Sequence, residues 1–279
     1  MLRALSVELS KSSRQRLLLA ALAVIAALVA LFAWGMWRHP FPLRPPGTAG
    51  GEFVMGGKAN TAPMLAYLLL RIPVATTLLL PTMLAVFAGG LLAGERQLGT
   101  LRVLLVRPVT RPALFIAKLL TAWVYALVLT AFLGVFSLLV GYALFGAGDL
   151  VPLPDSGRLV IFSHLQALGR LAIGYALTAG ALTAVASLGL FFSSLCDNPL
   201  TAAGLTVAFL FISGALQLHP YFESWQPYLL TTYLSVGSHA LAREIPWPEV
   251  ARAFGYLGGY SALGATLAGV VFWRRDVLC

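Results

Sequence analysis

An all-α integral membrane fold with six transmembrane helices is what this sequence predicts, and three observations predict it. Of 279 residues, 59% are hydrophobic and 10% charged, where soluble domains average about 45–50% and about 25%. Six uncharged runs are long enough, at about 1.5 Å per helical residue, to cross a hydrocarbon core of roughly 30 Å. The 19 Lys and Arg residues stand mainly in short groups at the ends of those runs, where basic residues mark cytoplasmic flanks. The net charge of +9 therefore does not point to nucleic acid, which needs a clustered basic face on a soluble surface.

The runs are 17–37, 72–94, 119–148, 171–196, 198–222 and 253–273. They place spans near 17–37, 72–94, 119–146, 171–195, 199–219 and 253–273, all within one transmembrane domain covering 1–279. The first run follows Arg3, Lys11, Arg14 and Arg16 and has Trp34, Trp37 and Arg38 where a signal peptide would carry small cleavage-site residues, so it reads as an uncleaved span. Segment 38–63 has Pro40, Pro42, Pro45 and Pro46 close together and is expected to be irregular or partly extended. Pro81 falls inside the second span and, lacking an N–H, can kink it. A seventh uncharged stretch, 224–242, carries Gln226, Pro227, Thr231, Thr232, Ser235, Ser238 and His239. It reads as extramembrane or re-entrant, with Trp225, Tyr228 and Tyr233 at the interface. Small residues at Gly90 and Gly94, at Ala176, Gly180 and Ala184, and at Gly255 and Gly259 are the expected close-approach points between helices.

Six spans leave both termini on one side. Segments 1–16, 95–118, 195–200 and 274–279 hold 11 Lys and Arg, and the longer opposite segments hold 8, so the termini are expected in the cytoplasm. Cys196 and Cys279 then both lie at the reducing face, with no disulfide expected and no CxxC spacing for zinc or redox chemistry.

Several functions are argued against. The span interiors contain no Asp or Glu, which a proton- or ion-coupled carrier commonly places there. No HExxH or GxSxG motif occurs. The stretch from Gly51 to Lys58 resembles a phosphate loop only in composition and lacks the Ser or Thr after the lysine. No catalytic, metal-binding or cofactor-binding residue is assigned in this chain, and any ATP that drives it is expected on another chain.

The loop after the second span carries the most information. At 100° per residue Leu98, Leu101 and Leu105 converge on one face and Arg96, Thr100 and Arg107 lie opposite, which predicts a short helix along the membrane surface. Pro108 interrupts it, and Pro112 suits the first turn of the next helix. Taken alone, this is an interfacial helix with basic residues on anionic headgroups.

The residues Glu95, Arg96, Gly99, Thr100, Leu101, Leu104, Leu105, Arg107, Pro108, Val109, Arg111, Lys118, Leu119 and Leu120 resemble the corresponding loop of type-2 ATP-binding-cassette permeases. That loop commonly reads Glu-Arg, Gly-Thr-Leu, Leu-Leu, Pro-Val and then Gly-Lys before the third span; Ala117 stands here in place of the glycine. The start of the chain, 2–16, resembles the family's amphipathic N-terminal helix, with Leu2, Leu5 and Leu9 on one face. The end, from Phe272 to Asp276, resembles its closing Phe-x-Arg-Arg-Asp motif.

The resemblance implies a permease subunit of an ATP-driven exporter in a bacterial or archaeal cytoplasmic membrane. It implies two partners besides the bilayer: a second permease subunit, in a homodimer or pseudo-dimer, and a cytoplasmic ATP-binding-cassette ATPase that binds the ATP and Mg. It also implies that 95–111 is a coupling helix, bounded by Gly94 and Pro108, docked on the ATPase. Glu95, Arg96 and Arg107 would supply polar contacts and Leu101, Leu104 and Leu105 the anchors. Lys118, and Arg274 with Arg275, are expected instead to snorkel to headgroups and hold their spans. The rival readings are a secondary carrier and a passive channel or scaffold without an ATPase. Scattered hydroxyls on Thr76, Thr77, Thr82, Ser137, Thr178, Thr183, Ser187 and Thr206 suit an amphipathic or lipidic cargo better than a free ion, unless they bond back to their own helices.

Overall fold

The computed structural model describes residues 2–13, 16–39, 60–99, 110–152 and 161–274. Among them there is no strand, only an isolated bridge between Leu150 and Phe162. An N-terminal helix α1 (Leu2–Ser13) precedes the first span, α2 (Arg16–Arg38). A short helix α3 (Ala62–Arg71) leads through a π-helical segment, Val74–Leu79, into α4 (Leu80–Gln97). Then come α5 (Arg111–Leu144), α6 (His164–Leu195) and α7 (Pro199–Leu218). After the 3-10 segment Pro220–Tyr228 come α8 (Leu230–Leu234), a second 3-10 segment, Ser235–Leu241, and α9 (Trp247–Arg274).

Six of these helical stretches are long and apolar enough to cross a membrane: α2, Val74–Gln97, α5, α6, α7 and α9. Each overlaps one of the six uncharged runs along most of its length. The helices nonetheless outrun the runs: α5 starts at Arg111, α6 at His164 and α9 at Trp247. A run ends at its first charge, whereas a helix continues past Lys118, Arg170 or Arg252 once it leaves the hydrocarbon. With 34 and 32 residues, α5 and α6 are about 50 Å long, well beyond a core of roughly 30 Å.

The central element is α6, which touches α3, α4, α5, α7, α8, α9 and Ser235–Leu241. Backbones meet where a glycine removes the side chain. A Cβ on Gly264 of α9 would lie 2.9 Å from the Ser187 backbone of α6, and one on Gly89 of α4 would lie 2.8 Å from the Ala203 nitrogen of α7. Of the expected close-approach glycines, Gly180 faces Phe254, but Gly90, Gly94, Gly255 and Gly259 face open space. Abundance of small residues does not say which side of a helix they occupy, so the expected spacing was displaced from the true contacts by one or a few residues.

Two local features follow from proline chemistry. Pro81 has no N–H for the carbonyl of Thr77, and the turn before it widens into the π-helix. The Thr77 and Thr82 hydroxyls donate to the carbonyls of Pro73 and Leu78 at 2.6 and 2.8 Å. Largely between the segment expected to be irregular, 38–63, and the second run at 72 lies α3, in which Ala62 through Leu70 are all buried. The 224–242 stretch folds back on the bundle: Val236, Gly237, Ala240 and Leu241 are buried, and the Arg170 guanidinium of α6 donates to the carbonyls of Ala240 and Arg243 at 3.3 and 3.2 Å. Pro220–Tyr228, by contrast, has no buried residue.

Candidate functional site: the junction of α1, α4, α5 and the α6–α7 turn

The second span does not stop at Gly94. α4 continues to Gln97 and is closed by Gly99, whose φ of +68° is the left-handed conformation that ends a helix, with its N–H donating to the Arg96 carbonyl at 2.9 Å. Glycine suits this position because residues with a side chain are strained at that φ. The helix therefore ends at Gln97, three residues beyond the expected boundary. Across the gap α5 begins after Thr110, with Pro112 in its first turn as the sequence requires. Thr100, Leu101, Leu104, Leu105, Arg107 and Pro108 lie outside the described residues. Their neighbours Gln97, Gly99, Thr110 and Arg111 are exposed, and Leu98 is 77% exposed.

Four charges join the helices that flank this gap. The Lys118 ammonium, fully buried in α5, lies 2.8 Å from the Glu95 carboxylate at the end of α4 and 3.3 Å from the Glu8 carboxylate of α1. The second Glu95 oxygen accepts from Lys11, again of α1, at 2.6 Å. Glu8 and Glu95 are 5% and 4% exposed, while the Lys11 side chain is 47% exposed. The group is two anions and two cations in alternation, so it is neutral as a whole. Such a cluster adds little net stability over an apolar core, because desolvation offsets most of the attraction, but removing one member strands a buried charge at a cost of about 3–5 kcal/mol. Lys118 therefore does not snorkel to the headgroups as expected. It points inward because two carboxylates from other helices reach it there.

On the other side of α4, Arg96 caps the end of α6. Its guanidinium donates to the Ser194 and Cys196 carbonyls at 2.8 and 3.1 Å and approaches the Asp197 carboxylate at 3.7 Å. The buried Ser193 hydroxyl inserts beside the backbone of α4. It accepts from the N–H groups of Leu92 and Ala93, both at 3.0 Å, and donates to the Gly89 carbonyl at 2.6 Å. Side-chain insertion of this kind holds a helix in register against its neighbour. α4 is thus fixed on one side to α1 and α5 and on the other to the α6–α7 turn.

Of the sequence-selected residues, Glu95 and Arg96 are engaged inside the chain, Gly99 shapes the helix end, and Arg111 is exposed at the start of α5. Glu8, Lys11 and Ser193 were not assigned to a site, and Lys118 was placed at the headgroups instead. A usable signal existed: Glu8 is the lone acid among the first 16 residues, and Glu95 the lone acid between 95 and 118. A single carboxylate in a basic flank marks a partner for one of the cations.

A second feature is an apolar cavity of about 720 Å³ along α5 and α6, running from Leu120 past Leu127, Gly134 and Tyr175 to Leu138 and Leu168. Its polar atoms are already used. Thr130 and Thr183 bond back to the Ala126 and Gly180 carbonyls, Tyr175 donates to the Ala66 carbonyl, and the Trp123 indole donates to Ser187. Thr77, Thr82, Ser137, Thr178, Ser187 and Thr206 also bond to carbonyls of their own helices. These hydroxyls are therefore not a free polar lining. Among the described residues, no three His, Cys, Asp or Glu residues are grouped to hold a metal ion.

Comparison with known proteins places this geometry in context. A family model described as ABC-2 family transporter protein matches residues 4–213. The uncharacterized protein YhcI of Bacillus subtilis (strain 168) is 26% identical over 201 residues, 69% of this chain and 63% of that protein. The chain thus spans less than two thirds of that relative's length.

Proposed function

The chain belongs to the ABC-2 family of transporter membrane proteins, and from that premise we propose that it is the permease of an ATP-driven exporter whose ATP is hydrolysed by a separate cytoplasmic ATPase subunit. Membership of that family and six apolar helices make it a multi-pass membrane permease. In the proposed complex two copies pair in a bacterial or archaeal cytoplasmic membrane with both termini inside, and two ATPase subunits bind ATP and Mg. Hydrolysis is not a task of this chain. The segment 95–111 is the ATPase contact, with Leu98 and Arg111 exposed at its two ends, Arg107 as a polar contact and its leucines as anchors.

The observation that carries this reading is the 2.8 Å pairing of Glu95 with Lys118. It ties the end of the second span to the start of the third across the gap that the ATPase would push. A displacement delivered at either end of that connector then reaches both spans at once through the buried ion pair. The carrier reading is weakened by the same cluster. The buried carboxylates of the described residues, Glu8 and Glu95, both sit in this junction, paired with lysines.

Arg107→Glu and Leu105→Arg test the proposal. Both variants are expected to reach the membrane at wild-type levels but to lower the ATPase activity recovered with the purified permease about tenfold or more, equivalent to ~1.4 kcal/mol or more of contact energy. Full recovery of ATPase activity with both variants would overturn the assigned contact.

A further inference from the structure

The ion pairs of the junction form a path that begins and ends on the N-terminal helix. Glu8 of α1 meets Lys118 of α5, Lys118 meets Glu95 of α4, and Glu95 meets Lys11 of α1, at 3.3, 2.8 and 2.6 Å. We infer that α1 is clamped into the coupling element by this path, with Lys118 as its positioning residue, so that the first span receives the ATPase stroke together with the second and third. The inference rests on the reading of 95–111 as the ATPase contact and adds a third span to what that contact moves.

Burial decides how the clamp behaves. Glu8 and Ser12, one turn apart, are buried while Ser6, Val7, Ser10 and Lys11 are exposed, so the face of α1 that carries Glu8 is the one held by protein. The contact is made chiefly with α5. Opening any link would leave an unbalanced charge among Glu8, Glu95 and Lys118, which have almost no access to water, and this favours motion of the assembled cluster over its separation. The connection onward is short. α1 ends at Ser13 and α2 starts at Arg16, which leaves two intervening residues to absorb a displacement.

The test uses the full permease with its ATPase in proteoliposomes, in a background with Cys196 and Cys279 replaced by serine. Spin labels at Val7→Cys and Ile116→Cys report whether α1 stays with α5; labels at Leu19→Cys and Leu200→Cys report movement of α2 against α7. On vanadate trapping the 7–116 distance is expected to stay fixed and the 19–200 distance to shift by about 2 Å or more, the scale of helix shifts in switching proteins. Glu8→Gln, which keeps the Lys118–Glu95 pair, is expected to broaden the 7–116 distance and abolish the 19–200 shift while ATP hydrolysis continues. Glu8→Asp, which keeps the charge, is expected to restore the shift. A 7–116 distance that changes on trapping in the wild type, or a full 19–200 shift in Glu8→Gln, overturns the inference. A purely structural role would lower thermal stability and hydrolysis in Glu8→Gln together and leave the 19–200 shift of the remaining folded protein intact, which also counts against it. Failure of the underlying reading looks different: no ATPase then associates with the wild type, and vanadate traps nothing.

Discussion

Replacing Lys118 with methionine removes the one cation that lies between two buried carboxylates. Glu95 keeps Lys11 at 2.6 Å, but Glu8, 5% exposed, loses the ammonium 3.3 Å away. Stranding a charge in this way costs about 3–5 kcal/mol. On the scale of about 2–4 °C per kcal/mol that holds for domains approaching this chain in size, the midpoint of thermal inactivation should fall by about 6–20 °C. The assay is size-exclusion chromatography of detergent-solubilised protein after a temperature series, reading the fraction that remains monodisperse. The double variant Lys118→Met, Glu8→Gln removes one charge of each sign and leaves the Glu95–Lys11 pair, so most of the loss should be recovered. A fall of less than about 2 °C for the single variant would refute the reasoning, because a half-solvated lysine costs little to remove. A double variant less stable than the single one would refute it as well.

Other consequences follow from the contacts of α4 and α9. Ser193→Ala should cost about 1–3 kcal/mol by leaving the Leu92 and Ala93 N–H groups and the Gly89 carbonyl without their hydroxyl partner, read as faster amide exchange across 89–95. Gly264→Ala forces a Cβ within 2.9 Å of the Ser187 backbone and should lower the thermal midpoint by an amount matching about 1–3 kcal/mol. Gly259→Ala, on the same helix with nothing within 4 Å, should be neutral or slightly stabilising under the same heating series.

The spans were legible because a bilayer makes one demand that composition alone satisfies: about 20 residues without charge. The same criterion hid two elements. Helix α3 lies in an apolar stretch bounded by Lys58 and Arg71, too short to count as a span, yet it is buried along Ala62 through Leu70. The first turns of α5 fell outside the expected span, because Lys118 interrupted the run, although Pro112 marked their start. Lys118 was expected at the headgroups since nothing nearby in sequence pairs with it; its partner Glu8 is 110 residues away, a separation that no helical wheel spans. The loop 95–111 was found from its resemblance to a family pattern. Of that pattern, the visible residues serve the junction itself: Glu95 and Arg96 fasten α4 to its neighbours, and Gly99 ends the helix.

The measurement that tests the central claim most directly is purification of the tagged chain from its native membranes in mild detergent, followed by mass spectrometry and an ATPase assay. The account predicts a stoichiometric soluble partner carrying a phosphate loop, with vanadate-sensitive ATP turnover that stays with the complex. Recovery of this chain alone, after crosslinking as well, would contradict it.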